Sequence, residues 1–214
     1  MKTSDRGICS LIQHEGIVPA PYLDSVGVLT YGVGHTKAAG KPDPATLPKG
    51  MPNDLDSSLE DVFALLNVDL EKYESDVNKA ITEPISQHEF DAAVSFHYNT
   101  GAIYSATWVS TLNKGDHATA ANQIMNWSKP ESIIPRRQAE QTLFRDGIYP
   151  DGDIIVWKVD SNCRVIWTPE CTLTPEQALG YLRDGDDPDE PPEFDLPEIS
   201  ICPTCNGTGR VVMR

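Results

Sequence analysis

The chain of 214 residues carries 17 lysines and arginines against 32 aspartates and glutamates, a formal net charge of −15. Its hydrophobic fraction of 39% is that of a globular protein with a full core and excludes a broadly disordered one. No apolar run approaches the length of a membrane span and no basic stripe is present, which disfavours membrane insertion and nucleic-acid binding through phosphates.

In chain order, residues 4–14 read as a short helix capped by Ser4, with Asp5 near its N-terminal dipole and Ile8, Leu11 and Ile12 as the apolar stripe. Gly16 is placed to end it, which puts Glu15 at the helix C-terminus, where the negative end of the dipole opposes a carboxylate. A β-hairpin follows, with Tyr22-Leu23 and Val28 to Val33 as strands and Ser25-Val26-Gly27 as the turn. Symmetry about Gly27 would set Asp24 opposite Thr30. Residues 37–56 hold four prolines and read as a surface loop.

From Ser57 the pattern is helical. Leu59, Phe63, Leu66, Leu70, Tyr73 and Val77 recur at spacings of three and four, the signature of a long amphipathic helix. Ser86 and Glu89 form a capping box, and Gly101 closes the helix it starts. Shorter helices are expected at 106–113, 117–127 and 136–146, with Pro135 in the first turn of the last one and Gly147 at its end. Beyond that, Asp153 to Asp160 and Arg164 to Thr168 read as a second hairpin. In it Ile155, Trp157 and Val159 share one face against Ile154, Val156 and Lys158. A helix runs from Thr174-Pro175-Glu176 to about Arg183.

The elements describe an α+β protein. Residues 1–146 form a mostly helical domain with a small N-terminal β-hairpin lobe, and 147–183 a small hairpin-helix appendage. Residues 184–198 (DGDDPDEPPEFDLPE) hold eight acids and four prolines without a base and read as a solvated linker. Residues 199–214 are a tail carrying Cys202-Pro-Thr-Cys205. The cysteine count is odd, and only Cys9 falls in the first 146 residues, so a disulfide framework is disfavoured. The N-terminus lacks the apolar region and cleavage site of a secretory signal, and folding in the cytoplasm is expected.

Glu15, Asp24 and Thr30 carry the chemistry. An acid, a second carboxylate and a hydroxyl that can hold water form a minimal set for cleaving a glycosidic bond. Singly they read as a surface acid, a turn residue and a strand residue. Together they join a helix end, a hairpin and a return strand within a glycine-rich stretch that lets backbone approach a ligand.

The run EG-x5-YLD-x2-GVLTYGVGHT resembles the phage lysozyme (endolysin) family, glycoside hydrolase family 24. The resemblance continues through FDAAVSFHYNTG (90–101), STLNKGD (110–116) and RRQAEQTLF (136–144). It implies a lysozyme-like fold and hydrolysis of the β-1,4 bond between N-acetylmuramic acid and N-acetylglucosamine in peptidoglycan, with inversion. In the implied roles Glu15 is the proton donor, Asp24 the stabilising carboxylate and Thr30 the water holder. Arg136 is expected against Glu15, and His35 is expected to be structural, paired with Asp69. Asn99, Thr100 and Gly101 match a loop near the cleft and are candidates for binding sugar. The implied setting is host lysis from the cytoplasm with a holin-type release partner, and no cofactor is required. The C-x-x-C of the tail resembles half of a zinc knuckle, which Cys163 and Cys171 or a second chain would complete. Other readings of the same residues are a non-catalytic peptidoglycan-binding or structural protein and a chitin-cleaving hydrolase.

Overall fold

The computed structural model describes residues 1–183, save the side chain of Arg183; the acidic linker and the cysteine-bearing tail lie outside the described residues. Helices α1 (Asp5–Glu15), α2 (Leu55–Ala80), α3 (Gln87–Thr100), α4 (Thr107–Leu112), α5 (His117–Ile124), α6 (Ile134–Asp146) and α7 (Pro175–Arg183) make up most of it. The strands are β1 (Val18–Leu23), β2 (Leu29–Gly32), β3 (His35–Thr36), β4 (Ile154–Val159) and β5 (Val165–Leu173). They form an antiparallel sheet in the order β1-β2-β3 and a separate β4-β5 pair.

The helix ends follow local chemistry. Ser4 Oγ accepts from the Gly7 N–H at 3.1 Å and starts α1. Glu89 Oε2 accepts from the Ser86 N–H at 2.7 Å and from its hydroxyl at 2.8 Å, and the two residues form the capping box expected from the sequence. Helix α2 begins earlier than its hydrophobic period suggests, because Asp54 caps it by accepting from the Ser57 N–H at 3.2 Å. The loop before α2 contains a short 3₁₀ turn, Pro44–Thr46.

The apolar stripe of α2 is buried as expected: Leu59, Phe63, Leu66, Leu70 and Val77 all lie in the main core. Each large side chain of this kind contributes about 1.5–3 kcal/mol on burial. Helix α3 is different. Phe90, Ala92, Ala93, Val94 and Phe96 are buried around most of its circumference, so it is the central helix, packed against α1, α2 and α6. Its polar residues must therefore be satisfied from inside. Asp91 receives the Ser4 N–H at 3.0 Å and the Ser4 hydroxyl at 2.5 Å, Gln87 Nε2 at 2.9 Å and the Tyr149 hydroxyl at 2.6 Å. One carboxylate thus fastens the N-terminus, α3 and the segment after α6.

Two registers depart from the sequence reading. In the first hairpin Tyr22 pairs with Thr30 and Leu23 with Leu29, so Asp24 is not opposite Thr30. The Asp24 N–H donates instead to the Val28 carbonyl at 3.0 Å, which centres the turn one residue earlier than Gly27. In the second hairpin the pairing shifts between Val156 and Trp157 and again between Trp157 and Lys158. These bulges break the alternation, so Val159 is buried along with Ile154 and Val156 rather than on the opposite face.

Residues 147–183 share the core of the rest. Ile154, Val156, Leu173, Ala178 and Leu182 belong to the main cluster, and Tyr181 stacks on Phe63 with ring centres 5.3 Å apart. Asp91→Ala strands the buried donors it serves and is expected to destabilise the protein by about 3 kcal/mol, measured by urea unfolding followed by circular dichroism.

Candidate active site

Glu15 is the last residue of α1, and the Gly16 N–H, donating to the Ile12 carbonyl at 2.7 Å, closes the helix beneath it. Its side chain is 22% exposed and meets Nη1 of Arg136 at 2.5 Å. Arg136 comes from the first turn of α6, 121 residues away. Its Nε donates to Glu140 Oε1 at 3.0 Å and its Nη2 to the Ser95 carbonyl at 3.2 Å. Glu140 also accepts from the Ser95 hydroxyl at 2.8 Å and pairs through Oε2 with Arg137 Nη1 at 2.7 Å. The result is a line of alternating charges, Glu15, Arg136, Glu140, Arg137, of which the last three are almost wholly buried. Burial opposes the charge of Arg136, but Glu15 and Glu140 outweigh it and hold the guanidinium above its usual range.

The second carboxylate is shaped by its own turn. Asp24 Oδ1 accepts from the N–H groups of Val26 at 2.9 Å and Val28 at 2.7 Å, so one oxygen is committed and its direction fixed. Thr30 is 3% exposed, and its hydroxyl donates to the Val28 carbonyl at 3.1 Å. The threonine oxygen is thereby held as an acceptor. Tyr22 pairs with Thr30 across the hairpin. Burial pushes its phenol up, and the charges of both Glu15 and Asp24 push it further. Gly34 closes another wall. With φ of 83° it needs no side chain for its turn, and a Cβ there would lie 3.6 Å from Glu15 Oε2 and 3.5 Å from the ring of Tyr98.

The remaining sequence candidates fall around this centre. His35 is buried, with Nδ1 at 2.7 Å from Asp69 Oδ2 and Nε2 at 3.0 Å from the Pro42 carbonyl. Both ring nitrogens are thus engaged in the fold. Asn99 Oδ1 accepts from Arg137 Nη2 at 2.6 Å, which joins it to the charged line. The Thr100 hydroxyl donates to the Phe96 carbonyl at 2.8 Å, and Gly101 ends α3 in a left-handed conformation with open space where a Cβ would be. Cys163 lies in the turn between β4 and β5, and Cys171 pairs with Val156 well along β5. The strand separates them by about 20 Å at the usual rise per residue, so one tetrahedral zinc cannot take both. Among the described residues no three His, Cys, Asp or Glu side chains converge as a metal would need.

Sequence reasoning passed over three residues here. Tyr22 stood inside the quoted YLD run but carried no chemical signal of its own. Glu140 was readable, since it lies three and four residues after the two arginines, the spacing at which helix side chains meet. His14 was hidden by its neighbour. Burial pushes its imidazole down to about 4, with Arg136 and Arg137 adding to the effect.

The chain is similar to known proteins in sequence and in fold. A family model described as phage lysozyme matches residues 12–140. The endolysin of Salmonella phage P22 is 34% identical over 150 residues, spanning 67% of this chain and 98% of that protein. The SAR-endolysin of Escherichia phage Mu is 31% identical over 142 residues, 63% of this chain and 76% of its own length. Among solved structures, the endolysin from Escherichia coli O157:H7 phage FAHEc1 superposes with a TM-score of 0.60 at 31% identity, covering 71% of this chain and 98% of that one.

The depressed imidazole of His14 has a consequence for stability. The folded protein keeps His14 neutral down to about pH 4, whereas the unfolded chain binds a proton near its ordinary value of 6.5. Its contribution is therefore complete above pH 6.5 and is lost as pH falls toward 4. Urea unfolding of His14→Gln at a series of pH values is expected to show a shallower loss across that window than the parent protein.

Proposed function

The chain belongs to the phage lysozyme family and is a muramidase, a glycoside hydrolase of bacterial peptidoglycan that serves cell lysis, and we propose that Glu15, Asp24 and Thr30 carry its reaction. The observation that supports this best is the Arg136 guanidinium on Glu15, held there by Glu140 and Ser95, at the helix end that leads into the hairpin bearing Asp24 and Thr30. An acid supported in this way, with a second carboxylate and a hydroxyl on the adjoining hairpin, is the set that glycosidic cleavage requires.

In this reading Glu15 gives its proton to the departing glycosidic oxygen. Arg136 then holds the carboxylate left behind, already within hydrogen-bonding distance and itself fixed by Glu140 and Ser95. Positive charge develops on the muramic sugar, and Asp24 stabilises it. With Oδ1 tied to its turn, the other oxygen of Asp24 is the one that orients water and takes its proton. Thr30, whose hydroxyl proton is spent on the Val28 carbonyl, accepts from that water and turns a lone pair toward the anomeric carbon. Attack from the face opposite the leaving group inverts the configuration. Asn99, with Thr100 and Gly101 beside it, would contact the sugar from the end of α3. His35 and Asp69 act by keeping β3 on α2. None of these steps draws on a cofactor.

The rest of the biology is an expectation. The substrate lies beyond the cytoplasmic membrane, so we infer accumulation in the host cytoplasm and release through a holin-type partner before action on the wall. A non-catalytic wall-binding protein would have lost one of the three reacting residues, and all three are present.

Two measurements test the assignment. Glu15→Gln is expected to slow the clearing of outer-membrane-permeabilised cells by about 10²–10⁴-fold, and clearing at the parent rate would overturn the role of Glu15. Proton NMR of products taken early in digestion is expected to show the α-anomer first. An initial β-anomer would replace inversion by a covalent route.

A further inference from the structure

The eight residues between Glu15 and Asp24 are weakly held by their own sheet. Strand β1 contains Pro19 and Pro21, which have no N–H to donate, and its pairing with β2 is interrupted between Val18 and Tyr22. The β4-β5 hairpin and its flank supply what is missing. Two residues before Glu15, the Gln13 amide donates to the Gly152 carbonyl at 2.5 Å. Two residues after it, the Ile17 N–H donates to the Ile155 carbonyl at 3.0 Å, and the Trp157 N–H donates to the Ile17 carbonyl at 2.8 Å. Just before Asp24, the Leu23 N–H donates to the Cys163 carbonyl at 2.8 Å. In between, Val159 packs with Val18 and Ala20 in a small second core, and Tyr22 and Trp157 both flank it.

Trp157 makes the closest approach. Its indole covers the backbone of Gly16, where a Cβ would come within 2.7 Å of Nε1. Gly16, at φ of 71°, is the residue at which the chain leaves the Glu15 helix and turns into β1. The family match ends at residue 140, before this hairpin begins.

We propose that Trp157 is a positioning residue, through which the β4-β5 hairpin sets the separation and relative direction of Glu15 and Asp24. The inference rests on the assignment of those two carboxylates to the reaction. The hairpin grips the connecting segment at both ends, so a loss of packing over Gly16 lets the helix end and the strand drift apart. A displacement of about 1 Å is enough to cost two orders of magnitude in rate while leaving sugar contacts elsewhere intact.

The test is steady-state kinetics of the full chain on solubilised peptidoglycan glycan strands. Trp157→Ala is expected to lower kcat about 10- to 100-fold with KM within about twofold, and Trp157→Phe to restore most of the rate. Circular dichroism at the assay temperature establishes that each variant is folded. Should the alanine variant melt below it, Trp157→Leu takes its place. An unchanged kcat in a folded variant, or a loss confined to KM, overturns the proposal. Trp167→Ala is the control. That indole is 76% exposed and touches Trp157 edge-on at 5.3 Å, and its removal is expected to change neither constant. A rise in KM there would make the tryptophan pair a sugar platform instead and would also overturn positioning. Glu15→Gln separates the two levels. Activity near the parent rate in it defeats the catalytic assignment, whereas a Glu15→Gln slowed by about 10²-fold or more together with a normal Trp157→Ala defeats positioning alone.

Discussion

The helical half of the site hangs on the pairing of charges that cannot be left alone in the interior. Arg137 is fully buried, Glu140 nearly so, and Arg136 little more exposed. A buried ion is costly by several kcal/mol unless matched, and here each faces an opposite charge, Arg136 between Glu15 and Glu140 and Glu140 between Arg136 and Arg137. The matching fixes geometry as well as energy. Arg136 can satisfy Glu140, the Ser95 carbonyl and Glu15 together only if α6, α3 and the end of α1 hold one mutual arrangement. Glu15 is thus located by the same contacts that make α3 tolerable as a central helix. Asn99, at the far end of the line on Arg137, ties a sugar-loop candidate into that arrangement.

The other carboxylate obeys a local rule. Asp24 needs only its own turn to be oriented, since two N–H groups of that turn face one of its oxygens. What the turn cannot set is where it stands relative to the helical part. That relation is carried by β1 and by the strands β4 and β5 laid along its edge.

Much of this was legible in the sequence where one residue type answers to one local demand. Ser4, Ser86 with Glu89, Gly101 and Gly147 marked helix ends, and the α2 stripe marked its buried face, because capping and helical periodicity act over a few residues. The Arg136–Glu15 contact came from resemblance and could not have come from spacing. The readings that missed had a common cause. The register of Asp24 and Thr30 depends on a turn centred one residue earlier than its glycine suggests, and the faces of β4 depend on two bulges. Pairing irregularities are settled between strands, and a single strand's pattern does not contain them. The docking of residues 147–183 on β1 was invisible for the same reason, since Ile17 and Val156 lie far apart in the chain.

That distance has a bearing on how the protein comes to exist. Glu15 is made early, its neutralising arginine comes 121 residues later, and Gly152, which clasps Gln13, lies 139 residues beyond it. At a synthesis rate of roughly 5–20 residues per second, the acid spends on the order of ten seconds on the ribosome without its partner. The nascent N-terminal lobe therefore waits as an unfinished half-site. A centre assembled from segments so far apart in sequence becomes complete only after residue 152 has been made.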